Sequence, residues 1–461
     1  MAQHADVVVL GAGPAGVAAA WRAALQGALV VVLERAGTPG GAAGSFSVGG
    51  VRVDHGSHRL HGATDPQILA TLRGLLGADL QERPRNGRIR LADRWIGFPL
   101  RGGDLVRHLP PSFVAGAAFD ALVSPLRRRR EDSFAHVVRA NLGPTMWRRF
   151  YEPYARKIWG VDPQLLSGEQ ARRRISADSP LKMVQRVLSG QRGGPATFFY
   201  PRTGFGTITE RMAQAAADAG VQFRYETPVE AVALRDDGVE VRAGSETFSA
   251  RRAWSTLPVP LLAHIAQPAA PAPVLQAASA LRFRAMALVY LVLDMDQWTP
   301  YDAHYLPEGA TPVTRVSEPK NYRDGDEPVG RTVLCAEIPC EVDDAVWRAD
   351  EEALGTLVAD GLAAQGLPRP APVEVVVRRL SHAYPIYTRD YERHFGVLDD
   401  WAAGQPSLLT FGRQGLFAHD NTHHAFAMAW AAAEALRPGG GFDEASWATA
   451  RERFTDHVVE D

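Results

Sequence analysis

Three glycines and one acid set the chemistry near the start of this chain. Gly11, Gly13 and Gly16 are spaced G-x-G-x-x-G, with Pro14 and Ala15 between the last two. At this spacing a chain can leave a strand in a tight turn, admit a pyrophosphate to its backbone, and seat the next helix close on the strand. The helix N-terminus then offers free N–H groups and partial positive charge to the phosphates. Glu34 closes the next apolar run, where its carboxylate can accept hydrogen bonds from a ribose diol and repels a 2′-phosphate. Two further sets lie downstream. Gly56-Ser57-His58-Arg59 carries an imidazole able to relay a proton near neutral pH beside a guanidinium. Gly412-Arg413 and Asp420-Asn421-Thr422-His423-His424 precede an Ala-rich run; Arg413 can grip a phosphate bidentately, and a helix start at Asn421 aims N–H groups at an anion.

The elements that must position these groups are legible in outline. Val7 to Leu10 is a short apolar run of the buried parallel type, followed by a helical stretch to about Gln26 and a second run from Leu29 to Leu33. Strand, glycine turn, helix, strand and acid stand in the order of a dinucleotide-binding βαβ unit. A Gly-dense loop, Gly37 to Ser45, follows. Ile89 to Ile96 reads as a hairpin with an Ala-Asp turn. Leu105 to about Arg192 is mostly helical in pattern. A second hairpin closes at Asp237-Gly238, and strands are expected at Met286–Leu293, 332–338 and 373–377, with helices between 343 and 364.

Composition narrows the function classes. A net charge of −2 over 461 residues favours no nucleic acid. Two cysteines, Cys335 and Cys340, argue against a disulfide framework and fit a reducing compartment. No spanning segment and no signal-peptide pattern is read, so a cytoplasmic protein is expected. The run Arg127 to Arg130 after the apolar stretch 105–126 reads first as a solvated helix end, with peripheral contact with anionic lipid as the lesser reading. No metal site is expected: adjacent His423 and His424 project differently, and no carboxylate is spaced to join them.

Together these stretches resemble the flavin amine oxidase superfamily of FAD-dependent oxidoreductases, nearest its protoporphyrinogen-oxidase-like and UDP-galactopyranose-mutase-like branch. GAGPAG with Glu34 matches the family's ADP-binding turn, and PGGAAGSF its second glycine loop. VDHGSHRL is similar to the stretch beside the isoalloxazine ring. FYEPYARKIWGVDPQLLSGEQARRRI, FFYPRTGFGTITERMA and LTFGRQGLFAHDNTHHAFAMAW are similar to the helical substrate-domain signature, the return to the cofactor unit and the C-terminal flavin motif. Ala42 departs from the family, which usually has Arg after the paired glycines.

The resemblance implies an α/β fold: a discontinuous Rossmann-type FAD-binding domain from 1–95, 196–270 and 405–461, and a substrate domain with a helical part, 96–195, and a sheet part, 271–404. It implies FAD contacts at Gly11, Gly13, Pro14, Ala15, Gly16, Glu34, Arg35, Gly41, Ala42, Gly56, Ser57, His58, Val229, Gly412, Arg413, Asn421 and Thr422. Catalytic roles are expected of His58, Arg59 and Tyr387, and substrate contacts of Tyr154, Arg202 and Tyr384. The expected activity oxidises, dehydrogenates or desaturates a small molecule, with oxygen or an external carrier as acceptor. The alternative is a non-redox isomerase acting on a nucleotide sugar through reduced FAD. Oligomeric state is not legible.

Overall fold

A computed structural model describes residues 3–100, 102–123, 131–174, 197–325, 327–437 and 441–459. The Arg127–Arg130 run lies outside the described residues.

The chain opens as its pattern demands. The strand Gln3–Leu10 runs into the helix Pro14–Ala24 and then the strand Val30–Leu33, which pairs parallel to the first. Both strands are buried over their apolar runs, because helices and a hairpin cover the two faces. In sheet order the neighbours are Gln222–Arg224, Val30–Leu33, Gln3–Leu10, Glu246–Ser255, Gly238–Ala243, Ala231–Arg235 and Ala266–Gln267. The last strand of the chain, Leu408–Thr410, pairs parallel to Ala253–Ser255. It takes the edge that the hairpin strand Gly238–Ala243 leaves free, so the C-terminus returns beside the N-terminal turn.

Small side chains make that return close. Ala18, Ala19, Ala20 and Ala23 are fully buried, and the helix Pro14–Ala24 packs on the C-terminal helix Thr422–Ala435. Arg22 lies over the Trp430 ring, and Gln26 Nε2 donates to the Ala433 carbonyl.

The second sheet runs Glu374–Ile386, Arg282–Leu293, Thr332–Cys340, Arg315–Ser317, Ala303–Tyr305, Gly87–Leu91 and Arg94–Phe98. Its central strand alternates in its contacts with period two. Ala287, Val289 and Leu291 face the core that includes Leu354, Val358 and Leu362 of the helix Glu351–Ala364. Met286, Leu288, Tyr290 and Val292 pack with Val48, Val51 and Val53 of the ribbon Ser45–Val48/Val51–Asp54. This second face carries the Asp54–Arg59 stretch against the sheet.

One boundary differs from expectation. The hairpin Gly87–Leu91/Arg94–Phe98 falls inside the range 1–95 expected for the cofactor unit, yet it joins the second sheet, with His304 parallel to Arg88. Its turn is Ala92-Asp93, both at positive φ, as a two-residue hairpin turn requires. Its buried face, Ile89, Leu91 and Ile96, packs with Phe113 and Tyr305, which supplies the physical reason for the switch. The helical part holds Pro111–Val123, Phe134–Met146, Glu152–Trp159 and Gly168–Arg174. No helix among the described residues is long and apolar enough to cross a membrane.

Candidate active site

The nucleotide cradle follows from five glycines. Gly11 leaves the first strand at φ 102°, a conformation costly to any side chain. A Cβ at Gly16 would lie 2.0 Å from the Gly11 carbonyl oxygen, so turn and helix touch there. At Gly13 an added Cβ would meet nothing within 4 Å. Gly13 N-caps the helix without any side-chain hydrogen bond, and no acid stands in the first turn. Pro14 carries no N–H, so the first amides of the helix, those of Ala15 and Gly16, are the ones left without a capping side chain. Gly41 and Gly412 close on this turn from outside: Cβ atoms there would lie 3.2 Å from Gly13 Cα and 3.0 Å from Ala15 Cβ. Glu34 bends back on the turn, accepting the Ala12 and Ala36 amides at 2.7 and 2.9 Å. An uncapped helix start, a space a methyl would fill and a buried acid beside it fit the dinucleotide half of FAD. Arg35 and Ala42 are exposed, and Val229 is half-buried against the hairpin core.

The second set is pinned from both sides. The Asp54 carboxylate accepts hydrogen bonds from Ser45 Oγ (2.5 Å), Tyr200 Oη (2.6 Å) and the Phe205 amide (2.8 Å), and the Asp54 carbonyl accepts one from Tyr290 Oη at 2.6 Å. Burial raises the Asp54 pKa against the pull of these donors. Gly56 turns at φ 94°, and the Ser57 amide donates to Glu337 Oε1 at 2.9 Å. Glu337 also takes a bidentate contact from Arg315. Ser57 Oγ and Tyr322 Oη lie 2.5 Å apart. Arg59 reaches the hydroxyls of Tyr305 and Tyr322 and lies 3.4 Å from Asp302. Burial is the largest influence and works against its charge, but Asp302, Tyr322 and Tyr305 together outweigh it and hold the guanidinium protonated. His58 Nε2 lies 2.9 Å from the His55 carbonyl, so Nε2 carries the proton and Nδ1 holds the lone pair. Burial lowers the His58 pKa, so the neutral ring is the form present near pH 7. Ser57, His58 and Arg59 are each half-buried.

The remaining candidates divide. Tyr384 lies under two guanidinium groups, Arg174 at 4.8 Å and Arg413 at 5.1 Å from its ring centre. Arg174 also covers Trp159 at 5.1 Å. The Nε atoms of both arginines are buried without a hydrogen-bond partner. His419 completes this patch, edge-on to Trp159, with burial and the nearby arginines driving its pKa well down. Tyr154 stacks on Phe150 at the rim of the same helical core. Tyr387 borders the patch through the His419 ring at 4.7 Å, but it is buried, stacked on Tyr391 at 3.8 Å, with its hydroxyl donating to the Phe417 carbonyl. Arg202 is exposed and faces Asp79 at 3.9 Å.

Sequence reasoning missed Asp302, Glu337 and Arg174. Glu337 had a signal, as the one carboxylate in the otherwise apolar strand Thr332–Cys340. It also missed His457. The C-terminal helix starts at Asn421, whose amide donates to His424 Nδ1 at 3.2 Å. Asp420, His424 and His457 each place one ligand-type atom within 4.8 Å of the others. The expectation of no metal site rested on local spacing, whereas the tail brings in His457 from beyond the helix Glu444–Phe454.

The chain was compared with known proteins. Residues 14–437 match the model of the family described as flavin containing amine oxidoreductase. The phytoene dehydrogenase of Streptomyces griseus is 28% identical over 249 residues, 48% of this chain and 47% of that protein. The zeta-carotene-forming phytoene desaturase of Myxococcus xanthus is 26% identical over 262 residues, 51% of this chain and 49% of that protein. The chain spans about half the length of these curated relatives. A structure of reduced UDP-galactopyranose mutase superposes with a TM-score of 0.81, covering 99% of this chain and 100% of the other at 20% identity, a likeness of fold. With a cradle that fits FAD and a family match over most of its length, this chain belongs to the flavin-containing amine oxidoreductase family.

Proposed function

We propose that this enzyme dehydrogenates a small-molecule substrate, forming a double bond, with the substrate held between the Ser57–Arg59 stretch and the Tyr384–Arg413 patch. The observation that carries this reading is the double anchoring of that stretch: Asp54 fixes it to the cofactor unit and Glu337 to the second sheet. FAD, when bound, supplies a two-electron sink, reoxidised by oxygen or an external carrier. The protein orients and protects. His58, neutral and with its lone pair on Nδ1, can accept the proton that leaves with dehydrogenation. Arg59, held by Tyr305, Tyr322 and Asp302, fixes the wall beside it. Tyr384, half-buried beside Trp159, offers apolar area to a substrate. The names of the two relatives, a dehydrogenase and a desaturase, support carbon–carbon desaturation.

A specific observation favours a second reading, isomerisation of a nucleotide sugar. Arg174 and Arg413 both lie over Tyr384 with unsatisfied Nε atoms, and two neighbouring cations suit a diphosphate. Product mass separates the two. FAD-loaded enzyme is incubated with polyene, amine and UDP-sugar substrates in air, and products are read by mass spectrometry. A product lighter by two hydrogens supports dehydrogenation. An isomer of unchanged mass, formed after prior reduction, overturns it in favour of the second reading.

A further inference from the structure

Asp420 stands just before the C-terminal helix Thr422–Ala435, and His424 lies one turn into it. His457 comes back to them from the tail, which is itself tied down. The Val459 amide donates to the Arg173 carbonyl at 2.8 Å, and Arg173 Nη1 donates to the His457 carbonyl at 3.3 Å. We propose that Asp420, His424 and His457 form a site for a divalent transition-metal ion of the zinc class, which fastens the tail to the start of the C-terminal helix.

The geometry is close to that of a metal centre. Asp420 Oδ2 lies 3.3 Å from His457 Nδ1, and Asp420 Oδ1 lies 3.6 Å from His424 Nδ1. Bonds of about 2.0–2.1 Å at tetrahedral angles set neighbouring donor atoms about 3.3 Å apart. Those two separations need only a few tenths of an ångström of adjustment, while the His424 and His457 rings, stacked 4.1 Å apart, must turn to aim both nitrogens at the ion.

A second observation points the same way. The Asp420 side chain is 1% exposed, and its Oδ1 has no hydrogen-bond partner. A buried carboxylate oxygen without a donor is costly. The nitrogen facing it cannot supply a proton, because His424 Nδ1 accepts the Asn421 amide. Asp420 Oδ1 thus faces, across 3.6 Å, a nitrogen that gives it no proton, and a cation relieves it. Coordination at His424 Nδ1 takes over the lone pair now directed at the Asn421 amide. Arg173, the nearest guanidinium, is committed to Glu169 at 2.7 Å. Two imidazoles and one carboxylate leave a fourth position for water, a donor set suited to zinc, cobalt or iron in the divalent state.

The test uses untagged, FAD-loaded full-length protein, stripped with chelator and desalted. It is titrated with Zn2+ by calorimetry, and with Co2+ by its visible ligand-field bands. The expected result is one equivalent of zinc retained per chain on gel filtration. His457→Ala and Asp420→Asn should each weaken binding on the order of a hundredfold, since even outer partners of a metal site cost 10–100-fold. The cobalt bands should be lost in both. Bound FAD and circular dichroism report whether each variant folds. His457→Ala lies on the tail and carries the test if Asp420→Asn does not fold. Protein that elutes without stoichiometric zinc, or zinc affinity and cobalt bands unchanged in His457→Ala, overturns the proposal.

Discussion

Two alanine substitutions three residues apart, Gly13→Ala and Gly16→Ala, should separate cofactor binding from folding. At Gly16 the new methyl would stand 2.0 Å from the Gly11 carbonyl oxygen and 3.3 Å from Val9 Cγ1. The first of these is backbone, so the helix must move. Overpacking of this kind costs about 1–3 kcal/mol, and the upper end is expected here. At Gly13 the methyl meets nothing within 4 Å, and φ is −72°, which alanine adopts without strain. The apoprotein should lose no stability and gain about 0.4–1 kcal/mol from the restricted unfolded chain. The same methyl occupies the space through which a pyrophosphate reaches the helix amides. Losing one charge-assisted hydrogen bond costs about 1.5–3 kcal/mol, a factor of roughly 10–150 in FAD affinity. Urea denaturation of the two apoproteins, with FAD titration followed by flavin fluorescence, reads both quantities. Gly13→Ala should fold like the parent and bind FAD weakly, and Gly16→Ala should lose both. Parental FAD affinity in Gly13→Ala, or parental stability in Gly16→Ala, would refute the reasoning.

Other perturbations test the rest of the site. Glu337→Ala strips Arg315 of its bidentate partner and the Ser57 amide of its acceptor, with Glu337 buried. It should destabilise by about 3–5 kcal/mol in thermal or urea unfolding, and Glu337→Gln by less. Arg413→Ala removes a guanidinium that donates to the Ala383 carbonyl and covers Tyr384. It should weaken binding of an anionic probe such as UDP about tenfold or more while FAD stays bound, as equilibrium titration would show. Burial lowers the pKa of His423 to about 4 in the folded chain, against about 6.5 unfolded. The unfolded chain therefore takes up the proton first, and this stability is full above about pH 6.5 and lost as pH falls toward 4. One such group gives a slope of up to about 1.4 kcal/mol per pH unit. His423→Gln in chelator-treated protein should flatten the dependence of unfolding free energy on pH by about one proton.

How much was legible in the sequence follows the distance over which each feature is built. The nucleotide cradle is local: Gly11, Gly13, Gly16 and Glu34 sit within one βαβ unit, and the glycine spacing encodes the turn directly. The hairpin at Ala92-Asp93 was equally local, but its membership of the second sheet was not. That depended on Ala303–Tyr305 arriving from far along the chain to pair with it. The Ser57–Glu337–Arg315 contact joins three segments, and no periodicity announces such a meeting. Tyr387 shows the converse. Near Tyr384 in sequence, it reads as part of the same site, yet the strand Glu374–Ile386 ends just before it and it turns into packing with Tyr391 and Phe417. Arg202 stands in a glycine-rich turn of suggestive composition, and the fold leaves it facing solvent beside Asp79. The C-terminal imidazoles read as adjacent and divergent because their partner, His457, lies in the tail.

The proposed dehydrogenation is tested most directly by the visible spectrum of the FAD-loaded enzyme under strict anaerobic conditions. Addition of the substrate class it desaturates should bleach the oxidised flavin band at a rate consistent with turnover, and admission of oxygen or a carrier should restore it. A spectrum unmoved by every polyene and amine, with a UDP-sugar converted only after prior chemical reduction and without consumption of reductant, would contradict the account.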